Sequence, residues 1–135
     1  MAAKIAMLHP GQIHGVVFVA SSVDPSLEKT KFIQYLGQMW GLRWLIPNEL
    51  RVCNEEILAL KDQLTDMLDD WRLIDARTII VHGEEDDLVP VANVVFIQQR
   101  LKTERTFIIK KMNHFIPWHR PAYIHRALEH LEKLD

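Results

Sequence analysis

Three short apolar runs constrain this chain more than anything else in it: Gly15-Val16-Val17-Phe18-Val19-Ala20, Thr78-Ile79-Ile80-Val81 and Thr106-Phe107-Ile108-Ile109. None of them alternates between apolar and polar residues, as a strand with one wet face would. Each therefore reads as a strand covered on both faces. Helical patterns separate the second run from the third and follow the third. Strands spaced by helices of such length connect through right-handed crossovers into a parallel sheet. The expected fold is α/β: a three-layer sandwich with a short parallel sheet of about three strands, helices on both faces, and a helical insertion between the first strand and the second.

Element boundaries follow from local signals. A short N-terminal helix ends at His9-Pro10-Gly11, where proline and glycine stop helical geometry. Strands are predicted over 15–20, 77–82 and 105–111. A helix is predicted over 90–102 with Val91, Val94, Val95 and Leu101 inward, and another from Pro121 with Ile124, Leu128, Leu131 and Leu134 inward. The insertion, 24–76, opens with Asp24 as N-cap and Pro25 in the first turn, breaks at Pro47-Asn48, and resumes at Asn54. Its second part carries Glu55 and Glu56 in the first turn and a stripe of Ile57, Leu60, Leu64, Met67, Leu68 and Trp71. The pattern stays helical to about Arg77, so 1–135 reads as one domain with an insertion.

Composition excludes several function classes. With 135 residues, 48% of them hydrophobic, the chain can bury one core. A formal net charge of −2 offers no basic excess, so nucleic acid is not an expected partner. The single cysteine, Cys53, rules out an intramolecular disulfide and a cysteine-rich zinc site, and fits a reducing compartment. No uncharged apolar run reaches about 18 residues, so no membrane span is expected, and Met1–Leu8 is too short for a secretory leader. These features read as a cytoplasmic protein. No cofactor motif is present.

The chemistry concentrates just past two of the strands. His82-Gly83-Glu84-Glu85-Asp86-Asp87-Leu88-Val89-Pro90 follows the second run, and Asn113-His114-Phe115-Ile116-Pro117-Trp118 follows the third. An acid past one strand and a histidine past the next suit the rear members of a Ser-His-Asp triad. Asp86 has a blander reading as a loop acid that caps the next helix, although Asp87 lies closer to Pro90. His114 has one as a polar loop residue, although Met112 and Phe115 around it favour a crevice. The other histidines read as structural or solvated. His125 and His130 lie five apart, not at the i, i+4 spacing that chelates zinc, and no metal site is expected.

The order strand, helical insertion, strand, Gly-x-x-Asp-x-x-Val-Pro, helix, strand, Asn-His, helix resembles α/β-hydrolases from their sixth strand onward. The resemblance implies Asp86 as triad acid and His114 as base, acting on a small ester or amide, with the insertion as cap. It also implies a pocket for an acyl or aromatic group, walled by the underside of that cap, Phe32–Ile46; Trp40, Trp44, Phe115 and Ser22 are its candidate lining residues. Ala2–Pro10 is similar to the helix launched by the nucleophile elbow. The departure is large, because the front strands and any Gly-x-Ser-x-Gly are absent from the sequence. Ser21 and Ser22 end the first strand on the edge where ligands sit, but they lack the strained turn that exposes a nucleophilic Oγ.

Three functions compete on these residues. The chain could be the rear part of a serine hydrolase that needs a front half, a non-catalytic binding or relic domain, or an enzyme completed by a rebuilt nucleophile or another subunit. Loss of the neighbouring strand would leave 15–20 as an open edge. That edge predicts a homodimer joined there, or else pairing with the missing N-terminal half.

Overall fold

The computed structural model describes residues 1–27 and 60–134. The chain divides into two compact units, residues 1–23 with 67–135, and residues 24–66. In the first unit three parallel strands, β1 (Gly15–Val19), β2 (Arg77–Gly83) and β3 (Thr103–Ile109), form one sheet in that order. Phe18 sits opposite Ile80, and Val81 opposite Phe107. β3 begins and ends two residues earlier than the sequence predicts. It starts at Thr103 because a ladder irregularity skips Glu104, and it stops at Ile109 because Lys110 and Lys111 turn the chain, Lys111 with φ +53°.

Helices cover both faces. α1 (Ala2–Leu8), a 3₁₀ turn (Leu68–Leu73) and α2 (Ala92–Arg100) contribute to one core cluster, in which Ala6, Met7, Trp71, Val94 and Ile97 meet Val16, Phe18 and Ile80. On the other face α3 (Ile116–His119) and α4 (Pro121–Glu132) join Ile79, Val81 and Ile109 through Ile116 and Ala127. Successive residues of β2 enter opposite clusters, and Ile79, Ile80 and Val81 are at most 1% exposed. Burying each contributes roughly 1.5–3 kcal/mol. The unbroken apolar run is the direct consequence of the two covered faces.

Two helical predictions change in detail. The segment before β2 is not helical to Arg77: it turns at Met67, passes through the 3₁₀ turn and is extended from Ile74. Leu68, Trp71 and Ile74 lie three apart, the repeat of a 3₁₀ helix, and all pack against the first cluster. Trp71 lies between Phe18 and Phe96, with ring centroids 6.1 and 5.3 Å away. In α2, Val94 and Leu101 are buried as predicted, but Val91 and Val95 are exposed, and the inward face is centred on Asn93 and Ile97. In α4, Ile124 and Leu131 pack inward beside the fully buried Ala127, while Leu128 is exposed.

In the second unit, Asp24 folds its side chain onto the chain that follows. Its Oδ1 accepts from the Ser26 N–H at 2.9 Å and from the Ser26 hydroxyl at 2.7 Å, and residues 25–27 form a turn. Residues 60–66 are helical. The predicted pocket residues Trp40 and Trp44, the segment Phe32–Ile46, and the helix start at Asn54 with Ile57 lie outside the described residues.

Candidate active site

The carboxyl edge of the sheet brings Asp86 and His114 together. The chain leaves β2 at Gly83, and the loop that follows is pinned to the exit of β3: Glu84 N–H donates to Ile109 O and Glu85 N–H to Met112 O, both at 3.0 Å. Gly83 makes this approach possible. A Cβ at that position would overlap the Met112 carbonyl oxygen and lie 2.6 Å from the Asn113 carbonyl oxygen, both backbone atoms that cannot swing aside. Its missing side chain lets the His114-bearing segment lie against the end of β2.

Asp86 divides its carboxylate between two tasks. Oδ1 accepts from Leu88 N–H at 3.0 Å and Val89 N–H at 2.8 Å, which shapes the loop. Oδ2 lies 2.9 Å from His114 Nδ1. The two oxygens have separate partners, the loop N–H groups on one and the histidine on the other. Asp86 stabilises the loop ahead of α2 rather than capping the helix, whose N-cap, Val91, has no side-chain bond. The Asp86 side chain is fully buried, whereas that of His114 is 32% exposed.

The donor pattern assigns the protons. An ionised carboxylate only accepts, so His114 donates from Nδ1, and only its Nε2 is left to exchange a proton with a bound group. His82, counted above among structural or solvated histidines, is structural and not solvated: its side chain is 1% exposed. Its Nε2 lies 3.0 Å from Val89 O, which can only accept, so this nitrogen carries the hydrogen. The same nitrogen is 3.7 Å from Asp86 Oδ2, beyond a hydrogen bond.

Of the other predicted residues, Phe115 stands edge-on to His114, with ring centroids 5.9 Å apart, and is about half exposed beside the more exposed Trp118. Ser22 lies on the segment after β1, where Ser21 bonds back to Val19 O and Val23 N–H donates to Asn93 Oδ1 at 2.9 Å. Asn93 also donates through Nδ2 to Pro90 O at 3.0 Å. It thereby ties the exit of β1 to the end of the acid loop. Reading the sequence missed both Gly83 and Asn93. The glycine is visible only as part of the Gly-x-x-Asp pattern, and the asparagine carries no signal, since its partners are remote backbone groups. Among the described residues no cluster of His, Cys, Asp and Glu could hold a metal ion. None of their helices is long and apolar enough to cross a membrane.

Comparison with solved structures establishes the class of fold. The chain adopts part of the α/β-hydrolase fold, matching an α/β-hydrolase from the metagenome of Mar Chica lagoon sediments in Morocco at 18% identity and a TM-score of 0.66, over 98% of this chain and 55% of that one. A monoacylglycerol lipase of Paleococcus ferrophilus matches at 18% identity and 0.64, over 96% and 62%. A bacterial membrane phospholipase A matches at 17% identity and 0.65, over 98% and 53%. The chain thus spans little more than half the length of these proteins. No family model matches the sequence. No curated protein matches it either.

Proposed function

We infer that the chain supplies the acid and the base of a serine ester hydrolase, with Asp86 orienting His114. One observation carries this reading: a fully buried carboxylate bonded at 2.9 Å to Nδ1 of a part-exposed histidine, at the carboxyl edge of a sheet with a hydrolase fold. In that role Nε2 takes the proton of the attacking hydroxyl and returns it to the leaving group, and Asp86 holds the tautomer and offsets the charge that forms on the ring. Phe115, edge-on to the histidine, and Ser22, after β1 on the same sheet edge, are the described residues that would border a bound acyl or aromatic substituent. The nucleophile comes from polypeptide outside these 135 residues, since no Gly-x-Ser-x-Gly occurs within them.

Two measurements test this. Sequence upstream of the Met1 codon is expected to encode an in-frame Gly-x-Ser-x-Gly, and the longer product to cleave p-nitrophenyl esters with a loss of order ~10⁴–10⁶ in His114→Ala, as for a triad member. The 135-residue chain alone is expected to match its own His114→Ala variant in ester hydrolysis. Turnover by the isolated chain that Ser22→Ala abolishes would instead favour a rebuilt nucleophile. An upstream reading frame without a serine elbow would favour the binding-domain reading. We also infer that the isolated chain associates through the β1 edge, as argued below.

A further inference from the structure

The exit of β3 and the start of α4 border an open groove of about 600 Å3. Its floor is apolar, built from Ile108, Ile109 and Tyr123, and its rim carries Lys110, Arg120 and Arg126. No carboxylate lines it. Among the described residues none of these three cations has an ion-pair partner; the nearest stabilising contact is Arg126 over the Tyr123 ring at 5.7 Å. In a chain with a net charge of −2, three unpaired cations around one hollow are a local field of the opposite sign. The neighbouring hollow of about 220 Å3, which shares Arg126, contains Glu129 and is less suited to an anion.

We propose that this groove is a binding site for a phosphate monoester bearing an apolar substituent. A phosphate group carries about −1.5 to −2 charges and three acceptor oxygens, which suits three cations lining one groove better than a single carboxylate does. The floor of Ile108, Ile109 and Tyr123 gives the substituent an apolar surface, and the volume fits a small ligand of that kind. Lys110 and Arg120 are also the two ends of the segment that carries His114. A phosphate bridging them would tie those ends together. The site does not depend on the hydrolase reading, because none of its residues belongs to the Asp86–His114 pair.

Titration calorimetry with phenyl phosphate, inorganic phosphate and phenol at about 0.15 M ionic strength tests the proposal. Phenyl phosphate is expected to bind at least about tenfold more tightly than either of the others, because only it uses both rim and floor. Arg120→Gln and Arg126→Gln are each expected to weaken it about tenfold or more, while Arg72→Gln, in the distant 3₁₀ turn, leaves it unchanged. Ala122→Glu places a carboxylate on the lip and in the first turn of α4, where an acid favours the helix. It is expected to abolish binding without lowering Tm, which separates loss of site from loss of fold. Equal affinity for inorganic phosphate, or binding that survives Ala122→Glu or both arginine changes, would overturn the proposal. Binding to phosphatidate vesicles without binding to phenyl phosphate would overturn it too, in favour of a membrane surface.

Discussion

At Asp86 two oxygens do separable work, and substitution distinguishes them. In Asp86→Asn the amide oxygen can still accept from Leu88 and Val89, but the amide NH₂ then faces His114 Nδ1, which must become an acceptor. The ring proton is expected to move to Nε2, seen by ¹⁵N NMR of the imidazole, with a loss of about 1–3 kcal/mol from the buried site. Asp86→Ala also releases the two loop N–H groups and is expected to cost more in urea unfolding. Retention of Nδ1–H in Asp86→Asn would refute the assigned geometry. Gly83 sets the distance rather than the chemistry. Gly83→Ala is expected to push the Met112–Asn113 backbone away, cost about 1–3 kcal/mol, and broaden or remove the His114 Nδ1–H signal. Asp86 and His114 were legible because each follows an apolar strand in a spaced pattern. The close approach at Gly83 was not, since it exists only between segments that meet after folding.

The elements were legible where both faces of a strand are buried, and less so where a helix turns a mixed face inward. In α2 the centre of the buried face is Asn93, at 1% exposure, so a hydrophobic pattern rotates the predicted face towards Val91 and Val95. The asparagine is inward because its amide joins two loops, accepting from Val23 N–H and donating to Pro90 O. Asn93→Leu fits the volume but strands the Val23 N–H, and is expected to cost about 1–3 kcal/mol in urea unfolding. Hydrogen exchange is expected to speed up at Val23 more than at β2. Equal acceleration at both would mean that Asn93 is merely a core residue and not a tie between the loops. In α4 the small Ala127 sits at the closest approach to the sheet, so Leu128 is left on the rim although leucine is the more apolar residue. The 3₁₀ turn likewise escaped a 3.6-residue template because its apolar repeat is three.

For the whole molecule, the open question lies at the sheet edge. β1 is an outer strand with no charge and no proline, whereas the opposite edge, β3, carries Glu104 and Arg105, which blunt pairing. Ala20 N–H donates to Val81 O, so by the two-residue repeat of a strand Val16 and Phe18 face β2 and Val17 and Val19 turn their N–H and C=O groups outward. Beside this edge, Ile5 and Leu8 of α1 are 45% and 63% exposed. In the hydrolase reading these features face the remainder of a larger sheet, and the isolated 135-residue chain offers the same surface to its own copy. A two-fold axis through the edge would pair β1 with β1 antiparallel, giving a six-stranded sheet from two three-stranded ones. Sedimentation equilibrium at micromolar concentration is expected to show a dimer. Val17→Pro removes an outward N–H and leaves the ladder to β2 intact, so it is expected to yield a monomer with unchanged far-UV circular dichroism. A wild-type chain that stays monomeric would overturn the dimer, and a dimer that persists in Val17→Pro would place the contact elsewhere, because the proline removes the outward N–H at the middle of β1 while the exposed apolar residues of α1 remain.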